Sequence, residues 1–360
     1  MAIALHYTLE NNHFVSDHTS AIILELDDQK KAGYVTEIPV DPLLPPKKVK
    51  IGKNIFNNLT LSNNRFFVSI YRSYDSLGLP LSGKEVLSFD FRGKKKQTIF
   101  IDGDSPNKIV AYRNKLFIEV VSIKGSMHSG IEVFDQKTLK KIGEIDFGEY
   151  FPITSWSISS NNDYLYAFGY NDHVVKHKSP YLTEKQKKDT SPYEIFFKIN
   201  THSLKTEQAL LSPFSGVGNF VINKDRLIIP ATHVTEGDGL FVYSLKLNKF
   251  LKKSSERHPG HLLKISYLRN ELYGLDWFGN ISIYDLSSFQ FKQKINFKGT
   301  RDFVVIKNHL FLNRRSLLTN GYTEEPKVTV VNLDTSKVTR EIKGVFGPFA
   351  LIFDKEDNPQ

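Results

Sequence analysis

The stretch YLRNELYGLDWFGNISIYDL, residues 267–286, carries three strand signals and two kinds of turn. Arg269-Asn270-Glu271 is polar and suits a tight reversal. Leu272-Tyr273-Gly274-Leu275 is apolar. Asp276-Trp277-Phe278-Gly279-Asn280 is rich in turn formers, and Ile281-Ser282-Ile283-Tyr284 alternates with the period of a strand before Asp285. Short β-branched and aromatic runs cut by Asn and Gly predict antiparallel hairpins.

The cadence recurs along the chain. An Asn followed two residues later by a large apolar residue occurs at Asn12, Asn64, Asn114, Asn162, Asn270 and Asn308, with a looser copy at Asn223. Asn tolerates left-handed backbone and bonds its own main chain, which explains its use in these turns. An alternating strand running into a polar turn follows each anchor. Examples are Ile131-Glu132-Val133-Phe134-Asp135, Leu240-Phe241-Val242-Tyr243-Ser244 and Val328-Thr329-Val330-Val331-Asn332. A strand precedes each anchor, as in Trp156-Ser157-Ile158, and another follows each polar turn, as in Phe291-Lys292-Gln293-Lys294-Ile295.

That makes four short strands per unit, at a spacing of roughly 50 residues, which predicts a β-propeller. We read an all-β fold, a seven-bladed β-propeller of four-stranded antiparallel blades forming one domain over 1–360. The units fall near 4–40, 54–102, 108–148, 154–211, 217–254, 262–297 and 301–343. Residues 346–358 are an extra strand or the closure of the ring. Leu5 to Asn12 also reads as an innermost strand, so either end of the chain can fill the inner slot of the first blade. A truncated eighth unit is the third reading.

Residues 327–344 (KVTVVNLDTSKVTREIKG) and 130–148 (GIEVFDQKTLKKIGEIDFG) resemble the second half of the repeat of bacterial YVTN-type propellers, relatives of WD40 propellers. DYLYAFGYND (163–172) is similar to its first half. The literal Tyr-Val-Thr-Asn and the WD40 Trp-Asp pair are absent. The resemblance implies the fold and little about activity.

Bulk properties narrow the field. The chain has 360 residues, 27 Phe, 16 Tyr and no cysteine. Disulfides, thiolate catalysis and cysteine-held metals are therefore excluded. The lack of cysteine leans towards a bacterial envelope or secreted protein over a cytoplasmic one. Met1 to His6 lacks a signal peptide's basic start and apolar core, leaving a cytosolic protein or a mature chain. No run reaches the roughly 20 apolar residues of a membrane span. The net charge of +9 suits anionic partners, although a lysine-rich solvated surface explains it equally. The basic runs are scattered and not interleaved with aromatics, which argues against nucleic acid as a partner.

Function is expected on the side where the second strand turns into the third and where blades are linked, because the long loops fall there. Those loops are 40–53, 72–84, 123–130, 170–192, 233–239, 254–261 and 313–326. The largest, 170–192, contains a helix start at Ser179-Pro180. Arg72, His233, Arg314 and Arg315 in these loops, with Asp276 and Trp277 in the short loop of the opening stretch, are the candidate ligand-binding residues. The arginines and the histidine would occupy matching places and attract anions, and Trp277 would stack on a sugar, base or cation. His258, His261 and Arg257, in ERHPGH, are the candidate catalytic groups, competing with a plain polar turn at Pro259-Gly260. His173 and His177 are four apart, a metal-ligand spacing only on a helix, and surface histidines are the simpler reading. Asp102-Gly103-Asp104 lacks the rest of a calcium loop and reads as a turn.

No cofactor is expected. The favoured function is a binding or scaffold propeller that docks a protein, peptide or glycan. The alternative is a lactonase-like propeller hydrolase acting on a small anionic substrate.

Overall fold

The computed structural model describes residues 19–27, 32–52, 55–62, 65–74, 80–90, 94–123, 128–149, 153–159, 162–169, 183–188, 194–233, 237–251, 262–297, 299–315 and 325–353. The chain is an all-β, seven-bladed β-propeller, and the strands of a blade lie side by side in chain order except in blade 1, where the C-terminal strand precedes the first. It divides into two compact units, residues 1–111 with 306–360, and residues 112–305.

Blade 1 is Phe349–Phe353, Ser20–Asp27, Ala32–Pro39 and Lys47–Gly52, in order from inner to outer strand. Blade 2 is Ile55–Ser62, Arg65–Tyr74, Pro80–Asp90 and Lys95–Phe100. Blade 3 is Ile109–Tyr112, Lys115–Ile123, His128–Asp135 and Lys141–Glu149. Blade 4 is Ile153–Ile158, Tyr164–Gly169, Ile195–Asn200 and Thr206–Leu211. Blade 5 has a broken inner strand, Phe214–Ser215 and Val221–Asn223, beside Arg226–His233, Gly237–Ser244 and Lys249–Leu251. Blade 6 is Leu262–Leu268, Glu271–Asp276, Asn280–Asp285 and Phe291–Asn296. Blade 7 is Thr300–Ile306, His309–Arg314, Lys327–Asn332 and Lys337–Lys343.

Blade 1 corrects the sequence reading. Phe349–Phe353 pairs antiparallel with Ser20–Asp27, so the C-terminal segment is the strand beside it. Leu5 to Asn12 lies outside the described residues. Ser20–Asp27 is consequently the second strand of its sheet, and the sheet runs on past residue 40, the expected end of the first unit. Residues 40–53 are not an inter-blade loop. Residues 40–46 join the third strand to the fourth, and Lys47–Gly52 is the outer strand, paired with Ala32–Pro39.

The turns also differ from expectation in one respect. The turn between first and second strands does use left-handed backbone, but Asn114 is the one anchor Asn that adopts it (φ 61°) among the described residues. In blades 6 and 7 the preceding Arg269 and Lys307 do so, and in blade 5 Lys224. Asn270 and Asn308 instead reach across to carboxylates of the neighbouring turn, Asp285 at 3.0 Å and Asp334 at 2.8 Å. In blades 4 and 5 the equivalent residues are Asp163 and Asp225, not Asn162 and Asn223. Their carbonyls accept the N–H of Thr201 and Leu245, as Asn270 does from Leu286.

The turn between third and fourth strands is a second repeated device. Asp135, Asn200, Asp285 and Asn332 each cap backbone N–H groups of the turn with a side-chain oxygen. The residue four positions later is left-handed in every case: Leu139, Leu204, Phe289 and Ser336. Such caps satisfy donors that a tight turn would leave exposed. The hydrogen bonds from Ser287 and Ser288 hold the Asp285 carboxyl far below the usual carboxylate range.

Neighbouring blades pack through apolar faces, with one cluster joining blades 1 and 2 around Phe66, Phe89 and Leu24. A larger one joins blades 4 and 5 around Phe168, Phe196, Phe214 and Tyr243. Buried polar contacts cross other seams between blades. Trp156 Nε1 of blade 4 donates to Glu119 Oε2 of blade 3 at 2.6 Å, with Trp156 only 1% exposed. Asn219 accepts from Ile265 N at 2.7 Å and donates to Ile265 O at 3.1 Å, so its amide extends blade 6's inner strand. A Cβ on Gly218 would lie 2.7 Å from Leu263 O, which is why glycine precedes it. Replacing Trp156 by Phe removes the indole donor to a buried carboxylate, and should lower stability by about 1–3 kcal/mol. Denaturant unfolding of the two proteins checks this, and an unchanged midpoint would refute the seam role.

Candidate functional site

The side of each blade where the second strand turns into the third is best resolved in blade 6. Asp276 ends the second strand and is 2% exposed. Its Oδ1 accepts from Phe278 N and Asn280 N, both at 2.9 Å. Asn280 Nδ2 lies 3.1 Å from Oδ1 and 2.8 Å from Oδ2. Gly279 N donates to Asp276 O at 3.0 Å. Gly279 has φ +81° and sits where an added Cβ would be 2.9 Å from Thr300 O of blade 7's first strand. The turn therefore demands glycine twice, for its backbone angle and for its close approach.

This scaffold holds two aromatic side chains out of the protein. Trp277 is 66% exposed and Phe278 77% exposed, whereas nearly all other large aromatics of the described residues are at least half-buried. Asp276 is thus a structural residue that fixes the turn, and Trp277 is the exposed group it presents. Lys294 Nζ lies 3.7 Å from Asp276 Oδ2, and the charge of the buried carboxylate is met from the outer strand.

The remaining candidates sit as follows. Arg72 lies in the second strand of blade 2, paired with Ile55 and Ser82. His233 ends the second strand of blade 5, paired with Phe214 and Gly237. Both come seven residues after the start of their strands, at Arg65 and Arg226, whereas Asp276 and Arg314 come five residues after Glu271 and His309. The expected matching places are therefore two levels and not one, because the hairpins of blades 2 and 5 are longer. Arg314 turns into its own blade. Its Nη1 is 3.1 Å from Thr329 Oγ1 and 3.6 Å from Glu341 Oε1. Lys327 shares that carboxylate at 3.0 Å, and its hydrogen bond holds Glu341 below the usual carboxylate range. Arg315 lies over the Phe346 ring at 5.1 Å.

His258, His261 and Arg257 lie outside the described residues, as do His173 and His177. Ser179 and Pro180 also lie outside them. The described part of that insertion is a five-residue helix, Glu184–Lys188. Among the described residues no group of three or more His, Asp or Glu side chains could hold a metal ion.

Two polar features escaped the sequence reading. The first is Glu194, directly before the third strand of blade 4. Its Oε1 accepts from Val217 N at 2.8 Å and its Oε2 from Thr154 Oγ1 at 2.8 Å. It is fully buried, and burial pushes its carboxyl above the usual range against those hydrogen bonds. The break in blade 5's inner strand is where this carboxylate docks. A carboxylate abutting the apolar run Ile195-Phe196-Phe197 was the available signal. The second is a cluster between the tight turns of blades 3 and 4. Asp163 accepts from the Tyr112 hydroxyl and lies 2.9 Å from Arg113 Nη1 and 3.5 Å from His202 Nε2. The Tyr112 hydrogen bond leads in holding its carboxyl below the ordinary value.

No family model matches this chain, and no curated protein matches it. A search of solved structures finds similarity to the crystal structure of the computationally designed Ika8 protein. The TM-score is 0.52 at 10% identity, over 84% of this chain and 82% of that one. At that identity the likeness concerns the fold alone. Among the described residues no helix is long and apolar enough to cross a membrane.

The Glu194 geometry sets a pH dependence. Its folded pKa is raised, so its stabilising contribution is fully present below the unfolded value of about 4.3 and is lost as pH rises through the folded value. Glu194→Gln should remove that component. The stability difference between wild type and variant, measured by denaturant unfolding across a pH series, should favour wild type most in acid and shrink towards neutral pH. A difference that grows with pH would overturn the assignment.

Proposed function

We propose that this protein is a binding or scaffold propeller that docks a protein, peptide or glycan where the second strands of its blades turn into the third. The carrying observation is the exposed Trp277-Phe278 pair on a turn held rigid by Asp276 and Gly279. Exposing two large aromatics costs solvation, and fixing them in advance removes much of the ordering entropy of binding. Aromatic side chains carry large contact area with few rotatable bonds, and flat faces suited to sugar rings or apolar side chains.

The chain's two tryptophans separate cleanly, one buried and one exposed. In a Trp156→Phe background, Trp277 is the sole indole reporter. Titrating cell-wall oligosaccharides and peptide pools should shift or quench its emission saturably. Trp277→Ala with Phe278→Ala should weaken the same binding, followed by calorimetry, at least tenfold, equivalent to about 1.4 kcal/mol. Full affinity in that double variant would place the ligand elsewhere.

A further inference from the structure

A second opening lies on the opposite side of the blades, among the tight turns. It is a shallow depression of about 480 Å³, lined by Asn162 of blade 4 and by Lys224, Asp225, Leu245 and Lys246 of blade 5. The two blade 5 turns are held together by Leu245 N donating to Asp225 O at 2.7 Å. Asn162 is fixed from below, its Nδ2 donating to the Tyr166 hydroxyl at 2.9 Å. Burial pushes that phenol up to about 12, so it stays protonated.

Blade 5 departs here from its neighbours. Asp135, Asn200 and Asp285 each accept two turn N–H groups, including that of the residue two positions on. Blade 5 has Ser244 in that position, and among the described residues its hydroxyl accepts only from Leu247 N, at 3.2 Å. Lys246 N–H, the equivalent of the second donor, has no acceptor among the described residues. Lys141 and Lys292 are paired with carboxylates, whereas Lys224 and Lys246, like other turn lysines such as Lys140 and Lys205, are exposed. Neither Lys224 nor Lys246 has a carboxylate partner among the described residues. Asp225's carboxylate likewise accepts no hydrogen bond there.

We propose that this depression binds a phosphorylated sugar or polyol. Two ammonium groups and a free backbone N–H form the kind of donor set that a phosphate needs. The Asp225 carboxylate and the Asn162 amide are suited to neighbouring hydroxyls, since one accepts and the other both accepts and donates. Half-buried Leu245 supplies an apolar wall for a ring face. The volume matches a small ligand of monosaccharide size, at the lower part of the roughly 300–1,000 Å³ range of small-molecule sites. The inference stands apart from the aromatic turn.

The test is calorimetry on the full chain at low ionic strength with glucose 6-phosphate, inorganic phosphate and glucose as separate probes. Glucose 6-phosphate should bind saturably at about 1 mM or tighter, and at least tenfold more tightly than either fragment. Lys224→Ala with Lys246→Ala should abolish it. Lys95→Ala with Lys337→Ala, an equal charge change on outer strands of blades 2 and 7, should leave it intact. Asp225→Ala should weaken glucose 6-phosphate binding and spare inorganic phosphate. Trp277→Ala should leave it unaltered, so that failure of the docking reading and failure of this one are told apart. No saturable binding, or equal loss in the outer-strand control, overturns the site. Equal affinity for inorganic phosphate overturns the sugar-phosphate assignment.

Discussion

The fold depends on a register between blades that apolar packing cannot set alone. Each sheet presents hydrophobic side chains on both faces, and such contacts are non-directional. A sheet could slide against its neighbour by one residue pair at modest cost. Buried polar contacts remove that freedom, because a displaced donor or acceptor would be left unsatisfied in a low-dielectric seam. One level of the second strand supplies them repeatedly. Ser69 donates to Asn107 O at 2.9 Å, Glu119 accepts from Trp156, and Asn313 donates to Gly347 O. Each lies four residues after the start of its strand and points to the next blade's inner segment.

Where that level is apolar, another residue takes over the task. Blade 4 has Phe168 there, and Glu194 bridges to Val217 instead. Blade 5 has Pro230 there, and Asn219 from the break in the inner strand pairs with Ile265. The breaks in inner strands are therefore not defects in the repeat. The gap between Phe214–Ser215 and Val221–Asn223 lets Gly218 and Asn219 approach blade 6, and the bulge around Asn58 lets its side chain accept from Ile109 N at 3.2 Å. The outer strands face the opposite problem, an unpaired edge. Lys47, Lys48 and Lys50, Lys95 and Lys96, Lys292 and Lys294, and Lys337 and Lys343 lie on them. Charged edges resist strand addition by another chain, and this accounts for much of the basic surface without a nucleic-acid partner.

Strand number, blade number and the period were legible because alternation and turn chemistry are local. Which terminus completes blade 1 was not, because Leu5 to Asn12 and Phe349 to Asn358 carry the same strand signal and pairing between chain ends is non-local. The same gap displaced the loop at 40–53. The anchors at 162 and 223 were read one and two residues early, because Asp163 and Asp225 do the work of Asn in those turns and adjacent Asn residues masked them. Asp276 and Trp277 were visible as a pair. Their division of labour was not, since a carboxylate that caps a turn and one that binds a ligand look alike in sequence. Arg314 was similarly readable as a residue but not as a member of the Glu341 and Lys327 cluster, which depends on cross-strand register.

The repeat itself offers a way of telling functional positions from structural ones. Most turn residues here are committed: Asn270 to Asp285, Asn308 to Asp334, Asp276 to its own turn. A committed side chain cannot bind a ligand without breaking the scaffold. The informative residues are those that the pattern leaves exposed while the scaffold around them is fully tied. Trp277 and Phe278 meet that condition on one side of blade 6. Lys224 and Lys246 meet it on the other side of blade 5, where Ser244 stands in place of the usual Asp or Asn and accepts from Leu247 N. A rigid frame makes such departures useful, since groups held in place before binding lose little entropy when a ligand arrives.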